Sequence, residues 1–168
     1  MLEAAILVVF PILVAYSGSS DLFTMTIPNR VSVLLVAAFV IMAFAVGMSA
    51  DEWKAHVLGG VVVFVPCLVM FGLGWMGGGD AKIASAIALW FGFGPDLLAF
   101  VLFTAVYGLI LTYGLLAFRL VPYLPGVLAR QDWLTRLHHP KTGIPYGIAI
   151  AAAALHVYST AGWLKLAM

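Results

Sequence analysis

The chain of 168 residues is 64% hydrophobic and 9% charged, and its formal net charge is +1. Soluble domains carry about 25% charged residues, so this composition excludes a water-soluble globular domain and indicates a protein that faces lipid. The small net charge gives no reason to expect a nucleic acid as a partner. Cys67 is the single cysteine, which excludes an internal disulfide and a CxxC zinc module.

Six apolar segments follow one another, and each is predicted to be a helix in the membrane. About 20 apolar residues cross the hydrocarbon core, and the segments lack the alternation that a β-barrel requires. The predicted fold class is all-α, a polytopic membrane protein that forms one domain over residues 1–168. The segments lie at 2–20, 30–49, 55–75, 81–94, 96–119 and 144–165.

Five of the segments are near or above spanning length, and the fourth is not. The first has no basic residue before its apolar run, so we expect a retained helix, not a signal peptide, that ends in the polar run 17–21. The fourth is short and contains Lys82. We expect it to lie partly in protein and only partly in lipid.

The connections between the segments carry unequal numbers of basic residues. The first, third and fifth carry six of the eight Lys and Arg residues, and basic connections tend to stay in the cytoplasm. These connections are therefore predicted to face the cytoplasm, with both termini outside. The six residues are Arg30, Lys82, Arg119, Arg130, Arg136 and Lys141.

The fifth connection, residues 120–143, is the only long loop that the pattern predicts. Four apolar residues recur in it at roughly helical spacing, with Arg130 and Arg136 between them. This pattern favours a short amphipathic helix on the cytoplasmic membrane surface, and an irregular basic loop is the alternative. The four apolar residues are Val127, Leu128, Leu134 and Leu137.

Two of the seven acidic residues stand out by position. Asp21 and Asp80 each lie where a predicted helix meets a short polar turn, on the same membrane face, where a buried acid is costly unless it is paired or reaches water. Two close carboxylates share one proton, so one can act as a base on water and the other as an acid on a carbonyl oxygen. The alternative is two separate interfacial acids, balanced by Arg30 and Lys82. The other five are Glu3, Asp51, Glu52, Asp96 and Asp132.

Three consecutive glycines, Gly77, Gly78 and Gly79, come directly before Asp80. Glycine adopts backbone angles that other residues avoid, and it lets another chain approach closely. These residues are predicted to form a turn that positions an extended peptide at the acids. A flexible connection between two helices is the alternative.

The sequence Gly77-Gly78-Gly79-Asp80 fits the GxGD signature and resembles the intramembrane aspartyl proteases, a class that includes presenilin and the type IV prepilin peptidases. Three further elements resemble the prepilin peptidases, in the same order along nearly the whole chain. They are Asp21 followed after a spacer by Ile27-Pro28-Asn29, then Asp80-Ala81-Lys82, and then Ile144-Pro145-Tyr146-Gly147. The small prepilin peptidases of tight-adherence (Flp-type) pili are the most similar.

This resemblance implies an aspartyl endopeptidase of the cytoplasmic (inner) membrane that removes the leader from prepilins. Asp21 and Asp80 match the catalytic pair, and Gly77 and Gly79 match the motif glycines. No metal or cofactor is implied, only water, and the adjacent His138 and His139 lack further ligands nearby. The roles of four other motif residues stay open: Pro28, Asn29, Lys82 and Pro145. Lys82 either tunes the acids electrostatically or extends to the lipid headgroups.

The resemblance also implies a substrate and a limit on the activity. The substrate is a pilin precursor with a short basic leader, cut after a glycine and followed by an apolar helix, and further partners are the lipid bilayer and other pilus-assembly proteins. Larger relatives carry paired CxxC motifs linked to N-methylation. Since Cys67 is the only cysteine, cleavage without methyl transfer is expected.

Two other functions remain open from the residues alone. A small ion- or proton-coupled transporter would use acids within the membrane to bind ions, and it predicts them at helix centres. A non-catalytic scaffold of a pilus-assembly machine would tolerate the loss of both acids.

Overall fold

The computed structural model describes the chain from residue 2 to residue 165, with the side chains of residues 5–163. Within that part there are helices and no strand, which confirms the all-α prediction. The helices are α1 (Leu2–Thr24), α2 (Asn29–Ala45), α3 (Ala50–Gly72), α4 (Gly78–Phe91), α5 (Pro95–Arg119), α6 (Gly126–Ala129), α7 (Asp132–His138), α8 (Tyr146–Tyr158) and α9 (Gly162–Lys165).

Three helices are long and apolar enough to cross a membrane: α1 over Ala5–Thr24, α3 and α5. This bears out a helical membrane protein. α2 has 17 residues and α8 has 13, so both are shorter than the sequence predicts. The last segment is broken, because a turn at 159–161 separates α8 from α9. The number of spans and the side on which the termini lie stay predictions.

α1 is longer than predicted. The sequence places its end in the polar run 17–21, but the helix continues to Thr24. The hydroxyls of Ser17 and Ser19 donate to carbonyl oxygens three and four residues earlier, at 2.7 and 2.8 Å. Because these hydroxyls are satisfied inside the helix, they do not compete with its backbone hydrogen bonds. Asp21 therefore lies within the last turn of α1, not in a loop.

The two short helices α4 and α8 form the centre of the bundle. α4 packs on α3, α2 and α8, and α8 packs on α1 and α5. Both carry many buried alanines, and such small side chains let helices approach closely. The outer faces of α3 and α5 are apolar and exposed, as contact with lipid requires. α4 thus lies largely in protein, as the sequence predicts for its fourth segment.

An aromatic cluster fixes the end of the bundle opposite to the start of α4. The rings of Phe10 and Tyr158 stack with their centroids 4.2 Å apart. Trp90 Nε1 donates to the carbonyl of Leu35 at 3.0 Å, and Trp163 Nε1 donates to the carbonyl of Trp90 at 2.7 Å. These contacts join α1, α2, α4, α8 and α9 around buried rings. The indole N–H groups of both tryptophans have hydrogen-bond partners, as buried polar atoms require.

The connection 120–143 contains the short helices α6 and α7 and folds back on the bundle. Arg119, the last residue of α5, donates to three carbonyl oxygens of this connection. Arg136 of α7 donates to the carbonyl of Phe23 at 3.0 Å, and the ring of Phe23 contacts that of Trp133. α7 therefore lies beside the end of α1. Its placement on a membrane surface stays a prediction.

Candidate active site

Asp21 is held between α1 and α8. Its side chain is 6% exposed, and its Oδ2 accepts a hydrogen bond of 2.7 Å from the backbone N–H of Gly147. Gly147 lies in the first turn of α8, where backbone N–H groups have no partner within the helix. The carboxylate of α1 thus meets the positive end of the dipole of α8, which favours a negative group. This contact fixes the orientation of Asp21.

Asp80 lies in the first turn of α4, which begins after Gly77. Its carboxylate turns back over Gly77, because a Cβ built on that glycine comes 2.9 Å from Asp80 Oδ2. Asp80 is partly buried, and it lies within electrostatic range of Asp21. The structure therefore brings the two acids together at one end of the bundle.

The side chain of Ile27 lies between the first turn of α4, which carries Asp80, and the first turn of α8, which holds Asp21. A Cβ built on Gly79 of α4 comes 3.3 Å from Ile27 Cβ, and one built on Gly147 of α8 comes 2.8 Å from Ile27 Cδ1. Ile27 is buried, in the connection between α1 and α2. The acids thus share one site that the first turns of α4 and α8 and the connection after α1 build jointly.

The three glycines before Asp80 do not form the predicted turn. Gly77 precedes α4, and Gly78 and Gly79 are its first two residues. None of the three has a positive φ, whereas Gly74, at the end of α3, has φ +74°. Space explains the glycines here: a Cβ on Gly78 meets the ring of Phe71 at 3.1 Å. A role in positioning a peptide stays a prediction.

Lys82 links α4 to the start of α2 and is not paired with an acid. Its Nζ donates to Asn29 Oδ1 at 3.0 Å, and both side chains are exposed. Among the side chains of residues 5–163, the salt bridge found joins Asp51 and Lys54. The interpretation of Asp21 and Asp80 as acids balanced by Arg30 and Lys82 therefore has no contact in its favour in this part of the chain.

The two prolines among the predicted site residues stand before helices that border the site. Pro28 precedes α2 and is half-buried. Pro145 precedes α8, and its side chain is fully buried. Both have φ values that suit proline, −62° and −74°, and both direct a helix whose first residues lie near the acids. They position elements and do not present reactive groups.

Two residues of the site were not singled out from the sequence. Gly147 holds Asp21, and a Cβ there would come 2.8 Å from Asp21 Oδ2 and 2.9 Å from Asp21 Cβ. Ile27 separates the first turns of α4 and α8. Both belong to quoted motifs, Pro145-Tyr146-Gly147 and Ile27-Pro28-Asn29. A short proline-containing motif before an apolar helix was the signal that could have found them.

Both acids lie within one turn of a helix end, so they do not have the mid-helix position that a transporter predicts.

Residues 8–113, which are more than half of the chain, match the sequence model of the type IV leader peptidase family. The chain belongs to this family. No curated protein and no solved structure matches it.

Family membership makes this leader peptidase homologue a protease embedded in a membrane. The matched region contains Asp21, the three glycines and Asp80, and it ends within α5. Pro145 and Gly147 lie beyond it, so their link to the site rests on the contacts of Asp21 and Ile27 alone.

Proposed function

We propose that the protein is an aspartyl endopeptidase that removes the leader from prepilins, with Asp21 and Asp80 as its catalytic pair. One observation carries the proposal. Two acids, 59 positions apart in the sequence, come together around Ile27, and no salt bridge joins either to a cation within the described side chains. Unpaired acids at such a place are costly, which is typical of functional groups.

The arrangement suits hydrolysis of a peptide bond. A water molecule between the two carboxylates loses a proton to the ionised one, and its oxygen attacks the carbonyl carbon of the scissile bond. The protonated carboxyl donates its proton to the carbonyl oxygen. When the tetrahedral intermediate collapses, the C–N bond breaks and the leaving nitrogen takes up a proton. The leader gains a carboxyl group, and the mature pilin gains a free amino terminus.

The two acids are positioned by different contacts. The N–H of Gly147 fixes Asp21, while Asp80 is held over Gly77 at the start of α4. Because the pair titrates jointly, neither acid has a fixed role as base or acid before substrate binds. Lys82 and Asn29 tie the motifs of α2 and α4 together, which supports a positioning role for both.

The cellular setting is part of the same proposal. The three connections rich in Lys and Arg meet at the end of the bundle that holds the acids, which supports a site at the cytoplasmic face of the inner membrane. A leader that stays in the cytoplasm would reach such a site. We expect cleavage after the last glycine of the leader, in a tight-adherence pilin, without N-methylation of the product.

The test is cleavage of a purified prepilin by the variants Asp21→Asn and Asp80→Asn. Each should lower the rate by roughly 10²–10⁴-fold, because each removes a group that transfers a proton. Asp132→Asn changes an exposed acid of α7 and serves as the control, with an unchanged rate. Near-normal cleavage by either variant would show that the two acids are not the catalytic pair. A non-catalytic scaffold would tolerate the loss of both acids.

A further inference from the structure

A groove of about 620 Å³ opens between α3 and α5. α3 packs closely on α4, α5 packs mainly on α8, and no extensive contact joins α3 to α5 within the described residues. The walls of the groove include Val63 and Cys67 of α3 and Leu98 and Val101 of α5. Its lining is almost wholly apolar, and its exposed walls face the lipid.

The floor of this groove continues directly from the acids. Ala84 lies four residues after Asp80 in α4, and Ile150 lies three residues after Gly147 in α8. Such spacings place residues on the same face of a helix, one turn apart. Cys67, in the wall, lies within electrostatic range of Asp80. One end of the groove therefore opens beside the acids.

The length and lining of the groove suit a helix. It runs from Met76, before α4, to Phe93 and Gly94, after α4, and the 14 residues of α4 alone rise about 21 Å. Met70 and Met76 belong to the lining, and methionine adapts to varied side chains. Thr104 Oγ1 is buried without a hydrogen-bond partner among the described residues, and it belongs to this lining.

We propose that this groove binds the apolar helix of the substrate, the segment that follows the leader. This inference rests on the proposed function, because it requires a membrane-inserted precursor that is cut at its cytoplasmic end. Such a helix diffuses in the bilayer and must enter from the side, and the groove opens to the side and leads to Asp80. A helix lying along α4 then presents the start of its apolar run at the acids.

A second groove, of about 730 Å³, is less suited to this helix. It lies between α2, α3 and α4, and Lys82 and Asn29 line it. A precursor bound there would bring its basic leader against the exposed Lys82, where like charges repel. The second groove therefore offers a matched control for the first.

Cross-linking to the native cysteine tests the proposal without requiring catalysis. Cys67 is the only thiol of the chain, and it lines the first groove. In the Asp80→Asn variant, a prepilin with single cysteines along its helix should form a disulfide with Cys67 upon oxidation. The yield should peak in the first two turns after the cleavage site, since Cys67 lines the groove together with Ala84, which lies one turn beyond Asp80 in α4.

The control for cross-linking moves the thiol to the second groove. The variant Cys67→Ala/Ser85→Cys carries it there, and the same prepilins should not cross-link. No disulfide with Cys67 at any position of the helix, or an equal yield from the moved thiol, would overturn the proposal. The first result would mean that lipid or another copy of the chain covers the first groove, and the second that the substrate helix does not select this groove.

Filling the groove gives a kinetic test. Val101→Trp obstructs the first groove, whereas Val61→Trp obstructs the second, and the two valines are 46% and 48% exposed. We expect Val101→Trp to raise KM roughly tenfold with kcat little changed, since it affects binding remote from the reacting atoms. Equal kinetics for both variants would contradict the groove assignment. If the acid variants abolish cleavage in that case, the proposed function stands and the groove assignment alone is wrong.

Discussion

The side chain of Asp21 acts as the link between the first and the last apolar helix of the chain. Its partner Gly147 is 126 positions away in the sequence, and the contact is a single N–H donor on a carboxylate oxygen. A charged acceptor makes such a hydrogen bond stronger than one between neutral groups. The geometry of the acid pair therefore depends on a glycine that carries no reactive group.

Replacement of Gly147 tests whether the geometry of the acid pair depends on this glycine. In Gly147→Ala the new Cβ would lie 2.8 Å from both Asp21 Oδ2 and Ile27 Cδ1, so Asp21 must move. A displacement of about 1 Å at a reacting group costs roughly 10²-fold in rate, and we expect a loss of that order in prepilin cleavage. The folded protein should still be recovered from the membrane.

Gly114→Ala is the matched control for that change. Gly114 lies within α5, and no atom of the described residues lies within 4 Å of the Cβ that the substitution adds. Its cleavage rate should equal that of the wild type, because alanine suits a helix. If Gly147→Ala also cleaves at the wild-type rate, the orientation of Asp21 by Gly147 is not needed for the reaction.

At the scale of elements, Arg119 keeps the connection 120–143 against the bundle. Its guanidinium donates to the carbonyls of Leu137, Thr142 and Gly143, at 2.9, 2.8 and 3.0 Å. The first of these carbonyls lies in the last turn of α7 and the other two lie before the start of α8, so Arg119 fixes the segment that leads to Pro145. The connection is thus an ordered part of the site end of the molecule.

Arg119→Met should therefore lower the free energy of unfolding by roughly 2 kcal/mol, because three carbonyls, two of them in partly buried hydrogen bonds, lose a charged donor. Thermal unfolding in detergent, followed by circular dichroism, measures the change. Arg130→Met removes an exposed arginine from the same connection and should leave the midpoint unchanged. Equal midpoints for the two variants would show that Arg119 does not hold the connection.

The first, third and fifth connections meet at one end of the whole molecule. Hydrogen bonds from Lys82 to Asn29 and from Arg136 to Phe23 join them, and both acids lie at the same end. The charge bias of these connections predicts that this end lies in the cytoplasm. Lipid-facing α3 and α5 surround the two short central helices, so the acids are reached from this end and from the groove between α3 and α5.

Thiol labelling from either side of the membrane tests this orientation. In a Cys67→Ala background, exposed single cysteines replace Thr26, Gln131 or Asp51. A membrane-impermeant reagent should label the first two from the cytoplasmic side and the third from the opposite side. Labelling of Thr26→Cys and Gln131→Cys from different sides would contradict the shared end, and labelling of both from outside would reverse the orientation.

Local sequence features allowed parts of this structure to be predicted, and their limits are physical. The apolar runs located the first five predicted helices within a few residues and missed the break between α8 and α9. The hydroxyls of Ser17 and Ser19 that bond within α1 gave no signal for its true end. The glycines before Asp80 suggested a turn with unusual backbone angles. In the structure they are needed because neighbouring residues leave no space for a side chain. A composition pattern does not distinguish these two uses, since the distinction lies in what packs nearby.

The sequence by itself determined a helical membrane protein with Asp21 and Asp80 at one end, because hydrophobic length and charge placement act locally along the chain. Only the tertiary structure decided that Asp21 bonds to Gly147, that Ile27 lies between the first turns of α4 and α8, and that α3 and α5 leave a groove over α4. These features depend on how closely α1, α4 and α8 approach, and that distance is set by small residues on facing helices. Gly18 and Ala151 show the reason, since a Cβ on Gly18 would come 2.8 Å from that of Ala151.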